Sequence, residues 1–204
     1  MTLKILNLYA GIGGNRKLWG NEHEITAIEN NPEIAKIYQD FFPNDKVIVT
    51  DAHQYLLEHY KEFDFIWSSP PCPTHSQIRQ NLAVRFGQNE PVYPDMSLYQ
   101  EIIFLMFNFT GKWVVENTIA YYEPLIKPQE IAKHYFWANF KICEIKKKSR
   151  NHHATIKELE ALKSFDLSNY KIDKRLVLRN CVEPDTGLHI FEMAFKKKQE
   201  VLNL

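Results

Sequence analysis

The chain has little cysteine, no excess charge and no long apolar run, and each shortage removes a class of protein. Its three cysteines, Cys72, Cys143 and Cys181, are odd in number, far apart and in no Cys-x-x-Cys arrangement. Neither a disulfide framework nor a zinc site is indicated, which leaves a single reactive thiol as an open use. The longest apolar stretch, 102–109, is broken by Asn108 and is far short of a bilayer span. With no signal-peptide pattern at the N-terminus, the expectation is a cytoplasmic protein without a membrane partner. Lysine plus arginine and aspartate plus glutamate each total 25. A nucleic-acid partner would therefore be held by a local basic face, not by overall charge. There is no internal repeat and no low-complexity tract.

What is present suits one domain. The 204 residues, 45% hydrophobic and 13% aromatic, suffice for a buried core but not for two large domains. Over the first two thirds, short apolar runs alternate with amphipathic stretches, the pattern of an α/β fold with helices around a mainly parallel sheet. Strands are expected at 4–9, 25–29, 46–50, 63–69, 113–116 and 136–145. A helix over 33–41 puts Ile34, Ile37, Tyr38 and Phe41 on one face, and Leu98, Ile102, Leu105 and Phe109 share a face in the next. Residues 73–95, polar and punctuated by Gly87, Pro91 and Pro94, read as a long mobile loop. Beyond Lys146 the run KKKSRNHH precedes a helix from Thr155, where Glu158 completes a capping box.

The strand ends carry the candidate chemistry. The first apolar run closes in LYAGIGG, so Gly11, Gly13 and Gly14 stand where a strand turns into a helix and backbone N–H groups can approach a ligand. Glu29 ends the second strand, where an acid grips a ribose diol in nucleotide-binding doubly wound folds, and Asp51 follows the third. Taken singly, the glycines make a tight turn and the acids cap helices. Together, three successive strand ends converge on one ligand. The fourth run leads into SPPCPTHS, where Pro70, Pro71 and Pro73 stiffen the backbone and Cys72 is presented, not buried. Helix N-termini and a cationic cofactor would favour its thiolate; the alternative is a small buried hydrophobe. The run WVVEN then sets Glu116 and Asn117 at the same edge, so a nucleophile and a carboxyl come from adjacent strands.

In this order, LYAGIGG, AIENN, the Asp51 strand end, SPPCP and VVENT resemble the catalytic core of the cytosine-C5 DNA methyltransferases over 3–118, and LRNCVEP around Asn180 resembles that family's closing segment. The resemblance implies a Rossmann-like S-adenosylmethionine-dependent methyltransferase fold in a single domain, 1–204. It implies S-adenosylmethionine as cofactor and DNA as partner. By it, Tyr9, Gly11 and Gly13 line the methionine side of the cofactor, with Gly14 and Pro71 also in the cofactor set. Glu29 binds the ribose, Asn30 and Asp51 lie around the adenine, and Asn180 closes the pocket. Cys72 adds to C6 of a flipped cytosine, Glu116 contacts N3 and the amino group, and Asn117 belongs to the same catalytic set. Ser76 and Arg79 are candidate phosphate contacts.

Two departures stand out. The family's Gln-x-Arg-x-Arg corresponds to PQEIAKHYFWANF, where Gln129 fits, the arginines do not, and Lys133 or His134 would supply the positive charge. Only about forty residues separate this stretch from LRNCVEP, too few for the usual large target-recognition domain. A minimal recognition region is expected at 146–175, its Lys146, Lys147, Lys148 and Arg150 either tracking phosphates or simply solvated. Alternatives are an RNA or nucleotide substrate, or a weak cofactor- and nucleic-acid-binding subunit. A partner supplying sequence recognition also fits. Methyl transfer to an exocyclic nitrogen fits least, because Cys72 stands where an aromatic would stack the base.

Overall fold

The computed structural model describes residues 2–88, 90–145 and 154–196. Seven strands form one sheet in the order β3-β2-β1-β4-β5-β7-β6. At its centre β1 (Lys4–Leu8) pairs in parallel with β2 (Glu24–Ile28) on one side and β4 (Phe65–Ser68) on the other. The parallel run continues outward through β3 (Lys46–Ile48) and β5 (Lys112–Thr118). β7 (His134–Ala138) returns antiparallel to β5, and β6 (Gln129–Ile131) pairs antiparallel with β7 at the edge. Strand order reverses at β1, so the crevice over the carboxyl ends of β1 and β4 is the place where such sheets take ligands. This is the α/β, Rossmann-like architecture.

The central strands are continuous apolar runs because helices cover both faces. On one face Leu6, Leu8, Ile66 and Val115 pack with α2 (Ala52–His59) and α4 (Ser97–Asn108). On the other, Ile5, Phe65, Trp67 and Val114 pack with Trp19 and with Ile190, Phe191 and Ala194 of α7 (Pro184–Phe195). Each large side chain fully buried in this way, such as Trp67 or Phe65, contributes about 1.5–3 kcal/mol. A third cluster joins α1 (Pro32–Phe41) to α5 (Ile156–Lys163) and α6 (Lys174–Asn180) through Ile37, Tyr38, Leu159, Phe165 and Leu178. Helix starts follow the side chains that satisfy their first N–H groups. Asn31 accepts from Glu33 and Ile34, Asp51 from Gln54, and Thr155 with Glu158 forms the expected capping box.

Several expectations need correction. Residues 73–95 are not simply a loop: α3 (Gln77–Phe86) occupies their middle, and the ends are tied by Asp95 N donating to Thr74 Oγ1 at 3.0 Å. The last expected strand, 136–145, begins at His134 and stops at Ala138. Its neighbour β6 and the helices α2, α6 and α7 are further elements, beyond those expected from the sequence. LRNCVEP is the end of α6 and the start of α7. After the glycine run the chain makes successive turns through residues 15–19, not a helix. Asn15, Arg16 and Trp19 are all buried there, bonded to Asn7, Asp45 and the Gly187 carbonyl in turn. Of the expected recognition region, 146–153 lie outside the described residues. Within the rest, Leu159, Phe165 and Leu167 are buried against α1.

Candidate active site

The glycine loop is locked from below and open above. Gly13 sits at φ +84, and a side chain there would collide with the rings of Phe42 and Tyr38. One at Gly14 would collide with Cys181 Sγ and the Val182 carbonyl, so the closing segment packs directly under the loop. Gly187 of α7 lies against the Asn15 backbone, and its carbonyl accepts from the Trp19 indole at 3.2 Å. Arg16 completes the lock with a buried two-pronged contact to Asp45, Nε to Oδ2 at 2.9 Å and NH2 to Oδ1 at 3.1 Å. Gly11, at φ +55, has nothing within 4 Å of where a Cβ would stand, so space opens above it.

Acids rim that space. Glu29, 8% exposed, accepts from Gly11 N at 3.0 Å and Asn31 N at 2.9 Å. Each of its oxygens keeps a second lone pair for a ligand hydroxyl. Asp51 caps α2 through Oδ1 at 2.7 Å, and the exposed Asn30 lies one residue past Glu29. Tyr9, at φ +53, donates its hydroxyl to Glu101 at 2.5 Å; burial and that carboxylate push the phenol well above its ordinary pKa, so it stays a donor. A backbone cradle with free space over Gly11, flanked by carboxylates, fits a ribose-bearing, positively charged ligand such as S-adenosylmethionine. Pro71 is exposed at the rim, and Asn180 is exposed one residue before the Cys181 that touches Gly14.

Cys72 follows β4, and Glu116 lies in β5, its parallel neighbour. The thiol is half-buried, and its pKa is raised, first by burial and then by the charge of Glu116. A carboxylate therefore opposes, in the protein without cofactor, the thiolate that helix N-termini and a cationic cofactor are expected to favour. Cys72 O accepts from both His75 N at 3.0 Å and Ser76 N at 3.1 Å, a tight turn. Asn117, 2% exposed, donates to Pro70 O at 3.0 Å, so it positions the proline-rich segment and does not project into the site. Ser76 accepts from Arg79 N at 3.4 Å at the head of α3. Of the two candidates for the missing arginine, Lys133 is exposed in a turn at φ +64. His134 is the one brought to the site, its Nε2 3.8 Å from Glu116 Oε1. Because His134 Nδ1–H points to Ala132 O at 3.3 Å, Nε2 is a donor toward Glu116 only when the ring is protonated. Lys147 lies outside the described residues.

The sequence reading missed a buried histidine and a buried acid. His75, 1% exposed, is bonded through Nδ1 to the Tyr122 hydroxyl at 2.6 Å, while its Nε2 finds no partner among the described residues. Burial lowers its pKa, so it is neutral and ties the Cys72 turn to the segment after β5. Glu101 sits in a helix whose apolar stripe concealed it. A larger cavity, about 330 Å³, opens between α4 and the amino end of β5 beside Trp113 and Asn139, away from these strand ends.

The family described as C-5 cytosine-specific DNA methylase matches residues 3–118, which is 116 of the 204 residues. The chain belongs to this family. The match runs from β1 through β5 and so contains the glycine loop, Glu29, Asp51, Cys72 and Glu116. Among solved structures, the chain is similar to a DNMT2 mutant of Spodoptera frugiperda, with 26% identity over 56% of this chain and 35% of that one, TM-score 0.41. It is also similar to the Entamoeba histolytica methyltransferase EhMeth, with 12% identity over 77% and 62% of the two chains, TM-score 0.46. The chain thus spans about a third of the first and under two thirds of the second. No curated protein matches the sequence.

Proposed function

We propose that the chain transfers a methyl group from S-adenosylmethionine to C5 of cytosine in DNA through a covalent adduct on Cys72. The observation that carries this reading is the juxtaposition, on one sheet edge, of the glycine and carboxylate cradle with Cys72 and Glu116 at the next two strands. Glu29, Asp51 and the loop at Gly11 would hold the cofactor, which supplies the methyl group when bound.

The target carbon is a weak nucleophile, and C6 is shielded in a stacked duplex, so the base must be extruded at a cost of a few kcal/mol. Glu116, having taken up a proton, then donates it to N3 and accepts from the amino group through its other oxygen, which selects cytosine over thymine. Protonated in this way, Glu116 no longer opposes ionisation of Cys72. The thiolate adds to C6 and pushes electron density onto C5, which takes the methyl group. Transfer of the C5 proton to solvent and expulsion of Cys72 as the thiolate restore the double bond, and the thiolate then takes a proton back from solvent. His134, protonated, stands in for the missing arginine at the cytosine carbonyl. Ser76 and Arg79, beside Cys72, would contact the phosphates of the extruded nucleotide, with Lys147 and its basic neighbours adding sequence-blind affinity.

The test is incubation with radiolabelled S-adenosylmethionine and separate pools of duplex DNA, single-stranded DNA and RNA, with the modified base identified by mass spectrometry. The expected product is 5-methylcytosine in duplex DNA, absent with Cys72→Ala and Cys72→Ser. Label in RNA alone would replace DNA as the substrate. A protein that binds the cofactor yet labels no pool would favour the second reading, a binding subunit that needs a partner, which the absent arginines and short recognition region motivate.

A further inference from the structure

The methyl-transfer reading leaves Glu101 without a role, yet this carboxylate is 1% exposed in the midst of Leu98, Ile102 and Leu56. A leucine or methionine would fill the same space with no charge to desolvate. Glu101 instead accepts three hydrogen bonds: from the Tyr9 hydroxyl at 2.5 Å, Ser68 Oγ at 2.6 Å and His53 Nδ1 at 3.1 Å. Tyr9 follows β1, Ser68 ends β4 and His53 lies in the first turn of α2, so one carboxylate ties together three elements of the ligand-facing edge. Tyr9 also stands at φ +53, a left-handed conformation that is strained for a non-glycine residue and persists only when its surroundings hold it.

We infer that Glu101 is a positioning residue that holds the Tyr9 ring as a wall of the cofactor site, and that His53 is its protonatable counter-ion. The inference rests on the reading that the β1–β3 edge binds the cofactor. A cavity of about 180 Å³ lined by His53, Leu57, Gln100, Glu101 and Phe104 gives solvent access to the imidazole, whose side chain is 41% exposed, but not to the acid. The ionisable groups facing His53 are Glu101 from α4, Asp51 at the head of its own helix and Asp95 from the segment ahead of α4. The hydrogen bond to Glu101 raises the His53 pKa against the opposing effect of burial. The imidazolium is therefore fully present below the ordinary histidine range and lost as pH rises through the raised value. Above it, the neutral imidazole can still donate through Nδ1–H, but Glu101 has lost its counter-charge, and its grip on Tyr9 loosens.

S-adenosylhomocysteine is the probe, because it shares the adenosine and amino-acid parts of the cofactor but lacks the sulfonium charge that would respond directly to His53. Its Kd is measured calorimetrically between pH 6 and pH 8.5 for the wild type, Tyr9→Phe, Glu101→Gln, the double variant and His53→Gln, with thermal melts confirming folding. Tyr9→Phe and Glu101→Gln should each weaken binding about tenfold, the size expected for a hydrogen bond to a charged group. The double variant should be no weaker than Glu101→Gln alone, because both act along one path. Wild-type affinity should fall several-fold toward high pH, and His53→Gln should abolish that slope. Effects of Tyr9 and Glu101 that multiply, or a His53→Gln profile identical to the wild type, would overturn the inference. If Glu101→Gln does not fold, Tyr9→Phe and the half-exposed His53→Gln decide it. A wild type that binds no S-adenosylhomocysteine at any pH would sink the cofactor reading itself, and the inference with it.

Discussion

At the β1–β3 end of the sheet edge the glycine loop is packed from below and open above. Gly13 rests on Tyr38 and Phe42, Gly14 on the closing segment, and Arg16 is clamped by Asp45. At the β4–β5 end the backbone is equally well held, through Asn117 on Pro70 and His75 on Tyr122, but the thiol of Cys72 has its pKa raised, first by burial and then by the charge of Glu116. The difference is one of mechanism. The first half is set by packing, whereas in the second, on the proposed mechanism, charge matters as well and a bound base would take up that of Glu116. Damage to the first half should therefore appear in stability, and damage to the second in chemistry at unchanged stability.

The largest expected effect comes from Arg16→Ala, which leaves Asp45 buried without its counter-charge and should lower unfolding free energy by about 3–5 kcal/mol in urea titrations. On the reaction side, His134→Ala should reduce the rate of cytosine methylation roughly tenfold to a hundredfold with an unchanged melting temperature. His134→Arg, always charged, should retain activity and lose the decline above neutral pH that a titrating imidazole imposes. Next is Gly14→Ala, whose methyl group meets Cys181 and the Val182 carbonyl; overpacking of this kind costs about 1–3 kcal/mol and should show as a lowered melting temperature. The smallest effect sharpens the comparison most. Removing the charge of Glu116 lowers the Cys72 pKa and enlarges the thiolate fraction, so Glu116→Gln should speed iodoacetamide alkylation of Cys72 a few-fold at pH 8. The exposed Cys143 is replaced by serine for this measurement, while Cys181 is buried with its thiol pushed up to about 11 and does not compete. Equal rates for Glu116→Gln and its parent would erase the contrast between the two halves.

Much of the first half was legible because local signals and global packing agree there. Three glycines and two strand-end acids mark the cradle, and β1 and β4 are buried on both faces, which leaves a run of apolar residues to read. The turn through residues 15–19 was not legible, because the partners that hold it, Asp45 and α7, are distant in sequence. The helix α3 was obscured by polar composition, its side chains lacking a clear apolar stripe. Glu101 was concealed for the opposite reason: it sits within an apolar helix, and only the arrival of Tyr9, Ser68 and His53 from three other elements shows its use. The effect of the Glu116 charge on Cys72 was left out of the sequence reading, because it follows from the pairing of β4 with β5.

The central claim is the covalent step at Cys72, and a duplex carrying 5-fluorocytosine tests it most directly. Fluorine at C5 cannot leave as a proton, so the adduct cannot collapse after methyl transfer. With S-adenosylmethionine and a set of such duplexes covering varied sequence contexts, the wild type should give a protein–DNA adduct that survives denaturation, with the modified peptide containing Cys72, and Cys72→Ser should give none. Methylation of ordinary cytosine without any such adduct, or an adduct that persists in Cys72→Ser, would contradict the account.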